Sequence, residues 1–204
     1  GQQGQYQAAK GIRADAGVQA RAQQHRHQHR GGHQEQLRHV AAMHQAAPNI
    51  YAGALHELSA SLWPDLRELA GTSGAVTAYI ANGHGIWEAA NTNMFSRGDK
   101  ALVLATGVFG LGWAESAAAL GIEVEMLDFG KSSPADMNRV EAVLRADKTG
   151  RIKAVLCTHV DTASSVKTDI AALRATLDLV GHPALLAVDC VASLGCDAYR
   201  MDDL

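Results

Sequence analysis

Four short stretches of this 204-residue chain carry side chains that could do chemistry together. They are Asn82-Gly83-His84-Gly85, Thr106-Gly107-Val108-Phe109-Gly110, Thr158 to Ser165, and Asp189 with Ser193. Asn82-Gly83-His84 stands where an apolar run gives way to a helical pattern. The free N–H groups of a helix N-terminus, with glycine allowing close approach, suit a phosphate. A tight strand-to-helix turn uses the same residues without any ligand. In THVDTASSVKTD the hydroxyls of Thr162, Ser164 and Ser165 are placed to bond a ligand or to cap the next helix. Thr168 and Asp169 are the better caps, which leaves the earlier hydroxyls freer. His159 reads equally as a packed histidine and as a ligand contact. Asp189 ends the apolar run ALLAVD, and a carboxylate carried into a sheet interior is costly unless a cation or strong donors meet it. A Mg²⁺ ion, an internal Arg or Lys, a cofactor with a protonated ring nitrogen, or a structural salt bridge or cap would each serve. No second acid on the same loop completes a metal site, so no metal is assigned.

A competing pattern lies in ATGVFGLGWAESAAALGIEVEMLD. It reads strand, Gly107-x-x-Gly110-x-Gly112, helix, strand, with Asp128 placed where a dinucleotide site keeps its ribose-binding acid. The glycine spacing departs from that fingerprint, and Phe109 stands where a pyrophosphate needs room. An NAD(P)-binding Rossmann-type oxidoreductase domain is the alternative this pattern offers. A non-catalytic binding module is the third reading.

The elements that must position these residues follow from the apolar periodicity. Helices are expected over 55–71, 84–95, 109–120, from Pro134 to about Asp147, and over 169–180. Pro134 is expected at the first helical turn, where a missing N–H costs nothing. Strands are expected over AVTAYIA (75–81), ALVLA (101–105), IEVEMLD (122–128), IKAVLCT (152–158) and ALLAVD (184–189). Five strands alternating with helices, most of them continuous apolar runs, predict an α/β fold with a mainly parallel sheet covered on both faces. Ligands of such sheets bind outside the carboxyl ends of the strands, where all four stretches fall.

Composition changes abruptly near residue 47. Every glutamine lies at or before Gln45, as do six of the ten histidines, and residues 1–47 carry six Lys/Arg against Asp15 and Glu35. Residues 1–40 have no apolar period, so they are expected to be a low-complexity segment that is disordered or non-native. The His-Arg alternation HRHQHR suggests metal or nucleic-acid binding, but neither aromatic interleaving nor a fixed ligand geometry supports it. With a net charge of −3, no long uncharged apolar run and no signal-peptide pattern, neither a nucleic-acid nor a membrane partner is expected. Cys157, Cys190 and Cys196 lack metal-ligand spacing and read as buried, reduced thiols of a cytoplasmic protein.

From about Met43 to Leu204 the chain resembles the class V pyridoxal-phosphate-dependent aminotransferases, most closely the alanine–glyoxylate and serine–glyoxylate group. The motifs that carry the resemblance are PNIYAGALHELSASLWPDLRELAGTSG, NGHGIWEAANTNMFSRGD, ATGVFG, THVDTASSV and VDCVASLG, in that order. It implies the fold type I architecture, a three-layer α/β/α sandwich, with residues 41–204 as part of the cofactor-binding large domain. The implied cofactor is pyridoxal 5′-phosphate. Asn82, Gly83 and His84 would meet its phosphate, Phe109 would stack on its ring, Thr162 would bond near the ring hydroxyl and Asp189 would pair with the pyridine nitrogen. Ser193 would support that carboxylate from behind. The implied activity is ping-pong transfer of an amino group from serine or alanine to glyoxylate or a similar 2-keto acid, by a homodimer. Two departures stand out. The family usually has Gly where this chain has Ser165, and its Schiff-base lysine is expected beyond Leu204. No catalytic residue is therefore assigned, and the isolated chain is expected to be inactive.

Overall fold

A computed structural model describes residues 37–44, 49 and 51–204. The HRHQHR alternation and most of the low-complexity segment lie outside the described residues. The chain divides into two units, Gly1–Glu57 and Leu58–Leu204. In the first, residues 37–43 are helical. Helix α1 (Ala54–Ala70) contains Pro64 and stops at Gly71, whose φ of +60° is the left-handed conformation that closes a helix.

The second unit alternates strands and helices. In order they are α2 (Gly83–Met94), β1 (Lys100–Ala105), α3 (Val108–Ala119), β2 (Glu123–Asp128), α4 (Met137–Ala146), β3 (Ile152–Thr158), the short pair β4 (Val160–Asp161) and β5 (Val166–Lys167), α5 (Ile170–Val180) and β6 (Leu185–Asp189). The main sheet has the order β2-β1-β3-β6 and every neighbouring pair is parallel. β4 and β5 form a separate antiparallel pair.

The period of two along β1 divides the core. Leu102 and Leu104 pack with Val140 and Leu144 of α4 and with Leu173 and Leu177 of α5. Ala101 and Val103 point the other way, into a cluster with Trp87 of α2 and Trp113, Ala114 and Ala117 of α3. β3 divides likewise, with Val155 and Cys157 on the first face and Ala154 and Leu156 on the second. Helices therefore cover both faces. Alanines at 101 and 154 leave depth on one face for two indoles.

Three expectations are corrected. AVTAYIA, 75–81, is not a strand: it has no ladder partner among the described residues, and the backbone turns sharply where the Ala81 N–H donates to the Tyr79 carbonyl at 3.0 Å. Among the described residues four strands, not five, make the main sheet. Pro134 does not open α4, because Asp136 caps it by accepting from the Asn138 N–H at 2.9 Å. Among the described residues β6 pairs with β3 on one side only, so there Asp189 ends a half-buried edge strand and not an interior one.

At the amino end of β3, Asp147 joins α4 to that strand. Its carboxylate accepts from Arg151 N at 3.0 Å and Ile152 N at 2.7 Å, and lies 3.3 Å from the His182 Nε2. Burial acts to raise its pKa, but the two backbone N–H groups and the His182 ring outweigh burial and hold it below the usual carboxylate range. A depressed folded-state pKa means that the unfolded chain takes up the proton more readily. The contribution is therefore complete above about pH 4 and is lost as pH falls through the folded value. Urea midpoints measured from pH 6 to pH 3 are expected to fall less steeply in Asp147→Asn than in the wild type. Parallel slopes would show that Asp147 does not report on folding.

Candidate functional site

β1 and β3 are neighbours in the sheet, yet the chain leaves β1 for β2 on one side and reaches β3 on the other. The crevice between their carboxyl ends is the topological switch point where such sheets hold ligands. Here it is filled from within. Asp161 is fully buried, and its Oδ2 accepts from Phe109 N at 2.9 Å and Gly110 N at 3.1 Å, the first turn of α3. Its Oδ1 accepts from Ala163 N at 3.1 Å. The helix N-terminus that would hold a pyrophosphate is thus already neutralised by a carboxylate of the chain.

Two of the three glycines that suggested a dinucleotide, Gly107 and Gly110, answer to internal packing, and Gly112 has room for a side-chain carbon. A Cβ on Gly107 would overlap the Asp161 carboxylate, one on Gly110 would lie 2.8 Å from Ala105 Cα, and one on Gly112 would meet the Trp87 ring at 3.5 Å. Gly107 has φ 175°, so space and not backbone conformation excludes a side chain there. Asp128, the supposed ribose ligand, accepts from Gly130 N at 2.8 Å in a local turn. The dinucleotide reading is overturned by these contacts.

A pocket of about 110 Å³ opens beside the switch point, and five of the six residues named from the sequence line it: Gly83, His84, Phe109, Thr162 and Asp189. The sixth, Asn82, stands behind the others as the N-cap of α2, its side chain accepting from Gly85 N at 3.1 Å. That cap uses the Gly85 N–H and the Ile86 N–H begins the helical ladder on the Asn82 carbonyl, leaving the Gly83 and His84 N–H groups without an acceptor among the described residues. A larger apolar groove of about 660 Å³, lined in part by Ile86, Met94 and Leu194, shares Gly83, Trp87 and Asp189 with the pocket.

Asp189 enters no ion pair with Lys, Arg or His among the described residues. Its Oδ1 accepts from Val191 N at 2.9 Å and its Oδ2 from the Trp87 Nε1 at 3.0 Å. Ser193 is buried behind it and closes the turn onto the Cys190 carbonyl. Of the hydroxyls on the β4–β5 loop, Ser164 is committed to that loop: it accepts from Val166 N at 3.2 Å. Thr162 is exposed on the pocket wall. His159 is buried against Tyr199, ring centroids 5.9 Å apart, and burial pushes its pKa down, so it reads as a packed histidine. Asp169 caps α5 by accepting from Ala172 N at 2.9 Å.

Trp87 and Asp161 were missed in the sequence. Trp87 lies three residues after His84, one helical turn on, and that spacing was available as a signal. Asp161 offered none, because its partners are backbone groups some fifty positions away.

Comparison with known proteins meets this geometry. The chain is 43% identical over 134 residues to the L-aspartate–glyoxylate aminotransferase of Paracoccus denitrificans, covering 65% of this chain and 33% of that protein. It is 39% identical over 147 residues to the serine–glyoxylate aminotransferase of Methylorubrum extorquens, covering 72% and 37%. Over the matched residues the chain is related to part of the class V pyridoxal-phosphate-dependent aminotransferases. The structure of pyridoxamine–pyruvate aminotransferase from Mesorhizobium loti matches with a TM-score of 0.69 at 25% identity, over 80% of this chain and 41% of that one. The sandwich is accordingly part of a fold type I domain. No protein-family model matches the chain. It spans 33% and 37% of the length of the two curated relatives.

Within this aminotransferase fold the departure at Ser165 has a physical meaning. Ser165 has φ +57°, the only positive φ at a non-glycine among the described residues, and its N–H donates to the Asp161 carbonyl at 2.8 Å. The turn needs a left-handed residue, which glycine supplies without the Cβ penalty. Ser165→Gly is expected to raise stability by about 0.5–1 kcal/mol, after allowing for glycine's greater unfolded-state entropy. A urea midpoint that fails to rise would show that the turn is unstrained.

The cysteines fall into three environments. Cys157 is fully buried and burial pushes its thiol up to about 12, Cys190 is half-buried, and Cys196 is exposed. The expectation of three buried thiols therefore holds only for the first. Among the described residues no helix is long and apolar enough to cross a membrane.

Proposed function

We propose that residues 41–204 form part of the cofactor-binding large domain of an aminotransferase. The enzyme would use pyridoxal 5′-phosphate to move an amino group from an amino acid, serine or alanine, to glyoxylate or a similar 2-keto acid. The observation that carries this reading is the pairing, on one pocket, of two unpartnered helix N-terminal N–H groups with a carboxylate that has donors but no counter-ion. The first suits a phosphate and the second a protonated ring nitrogen. The names of the two curated relatives support glyoxylate as acceptor, and add aspartate to the donors worth testing.

Each residue then has a defined task. The Gly83 and His84 N–H groups hold the phosphate, and the Asn82 cap fixes the turn that presents them. Phe109 packs against a ring face, and the Thr162 hydroxyl reaches toward the ring hydroxyl. Asp189 keeps the ring nitrogen protonated. Bound in this way, the cofactor supplies an electron sink for negative charge at the substrate α-carbon. The covalent lysine, the homodimeric assembly and a cytoplasmic location complete the proposal.

The test is a titration of the chain with pyridoxal 5′-phosphate and, separately, with pyridoxal, followed by quenching of tryptophan fluorescence. The phosphate form is expected to bind at least about tenfold more tightly, since a charge-assisted hydrogen bond contributes about 1.5–3 kcal/mol. Equal affinities for the two would sink the assignment of the α2 N-terminus to the phosphate.

A further inference from the structure

Trp87 is 4% exposed, and its surroundings are aromatic on several sides. It stacks on Trp113 with centroids 5.8 Å apart and planes 7° from parallel. His84 lies 4.6 Å from it and Phe109 6.4 Å, edge-on. Gly112 faces the ring as well, and a Cβ there would rest on it at 3.5 Å, an ordinary contact. Such packing alone could be met by Phe or Leu. The indole adds one feature that they lack, a buried N–H that must find an acceptor. The acceptor is the Asp189 Oδ2, and no other donor among the described residues reaches that oxygen.

We propose that Trp87 is the positioning residue of Asp189, a role that rests on the cofactor reading above. The Val191 N–H fixes one carboxylate oxygen and the Trp87 indole fixes the other. The plane of the carboxylate is then set before any ligand arrives, and each oxygen keeps lone-pair capacity for an incoming N–H⁺. The Trp113 stack and the bond from the Trp113 Nε1 to Asn91 Oδ1, at 3.1 Å, brace the indole in turn. Trp87 also sits on the helix whose first residues present the phosphate donors. With a rise of about 1.5 Å per residue, one turn of α2 sets the distance between the phosphate end and the ring end of the site. α2 is thereby a ruler for a phosphorylated pyridine, not only a phosphate cradle.

The experiment has two arms on the 204-residue chain. In the first, ¹⁵N-tryptophan labelling gives three indole N–H signals, from Trp63, Trp87 and Trp113. Trp87→Phe identifies the Trp87 signal, and Asp189→Ala is expected to move it upfield while leaving the other two in place. A Trp87 signal indifferent to Asp189→Ala overturns the proposal, and does so without any ligand. In the second arm, pyridoxamine 5′-phosphate is compared with benzyl phosphate, which has the phosphate arm but no ring nitrogen. Trp87→Phe is expected to weaken pyridoxamine 5′-phosphate about tenfold and to leave benzyl phosphate within about twofold. Equal losses for both ligands, or no loss for either, would reduce Trp87 to packing and leave the cofactor reading standing. A wild-type chain that binds benzyl phosphate as tightly as pyridoxamine 5′-phosphate removes the role of Asp189, and the cofactor reading and the Trp87 proposal fall together.

Discussion

Replacing Asp161 with alanine is expected to lower stability by about 3–5 kcal/mol, a large share of what a domain of this size possesses. The carboxylate is fully buried and has no cationic side chain on it among the described residues; its charge is met by the Phe109, Gly110 and Ala163 N–H groups and by the positive end of α3. Removing it strands three donors at once in a site that water does not reach. Asp161→Asn keeps one oxygen for part of this set but turns an N–H₂ toward another donor, so roughly half the loss is expected to remain. The partner prediction concerns Gly107, where a methyl would overlap the Asp161 carboxylate. Gly107→Ala alone is expected to cost about 1–3 kcal/mol through overpacking. In an Asp161→Gly background that cost should vanish, because the atoms it strikes are gone. Urea unfolding of the four chains with an unchanged m-value closes the cycle. Additive losses would separate the two residues and refute the contact as the cause. The consequence reaches the pocket, since Asp161 ties the backbone of Phe109 to the loop that carries Thr162.

The contrast between what was legible in the sequence and what was not follows from the range of the interactions. β1 and β3 are continuous runs of apolar residues, and burial on both faces requires just that pattern, so their positions stand in the sequence directly. The α2 turn was readable because a cap, its glycine and its helix are local. AVTAYIA has the same composition as a strand and is not one, because a strand exists only with a ladder partner, which composition does not reveal. The glycine pattern at 107–112 was misleading for a related reason. Gly107 and Gly110 record two close approaches, but the approaching group was Asp161 or Ala105, and nothing local distinguishes these from a phosphate. Family resemblance named five of the residues that line the pocket, whereas Trp87 and Asp161, which bond Asp189 and the Phe109 backbone, became visible only in the contacts.

Asp189→Ala is expected to weaken pyridoxal 5′-phosphate binding by roughly 10- to 100-fold, the range for losing a hydrogen bond to a charged group. Such a bond is strong here because the carboxylate is partly shielded by Val191 and by the buried indole of Trp87. Asp189→Asn is the sharper variant. Its size is unchanged and its side-chain oxygen can still accept from one of the two present donors, so the pocket wall is kept. What is lost is the negative charge that favours a protonated ring nitrogen. If the reading is right, Asn should lose nearly as much affinity as Ala. If Asp189 only closes the turn at the end of β6, Asn should bind like the wild type, and the loss in Ala should follow its loss of stability. Measuring affinity and urea midpoint on the same three chains therefore separates a cofactor contact from a turn-forming carboxylate. Among the described residues no lysine, arginine or histidine pairs with Asp189, so a ring cation would meet its charge without displacing an internal partner.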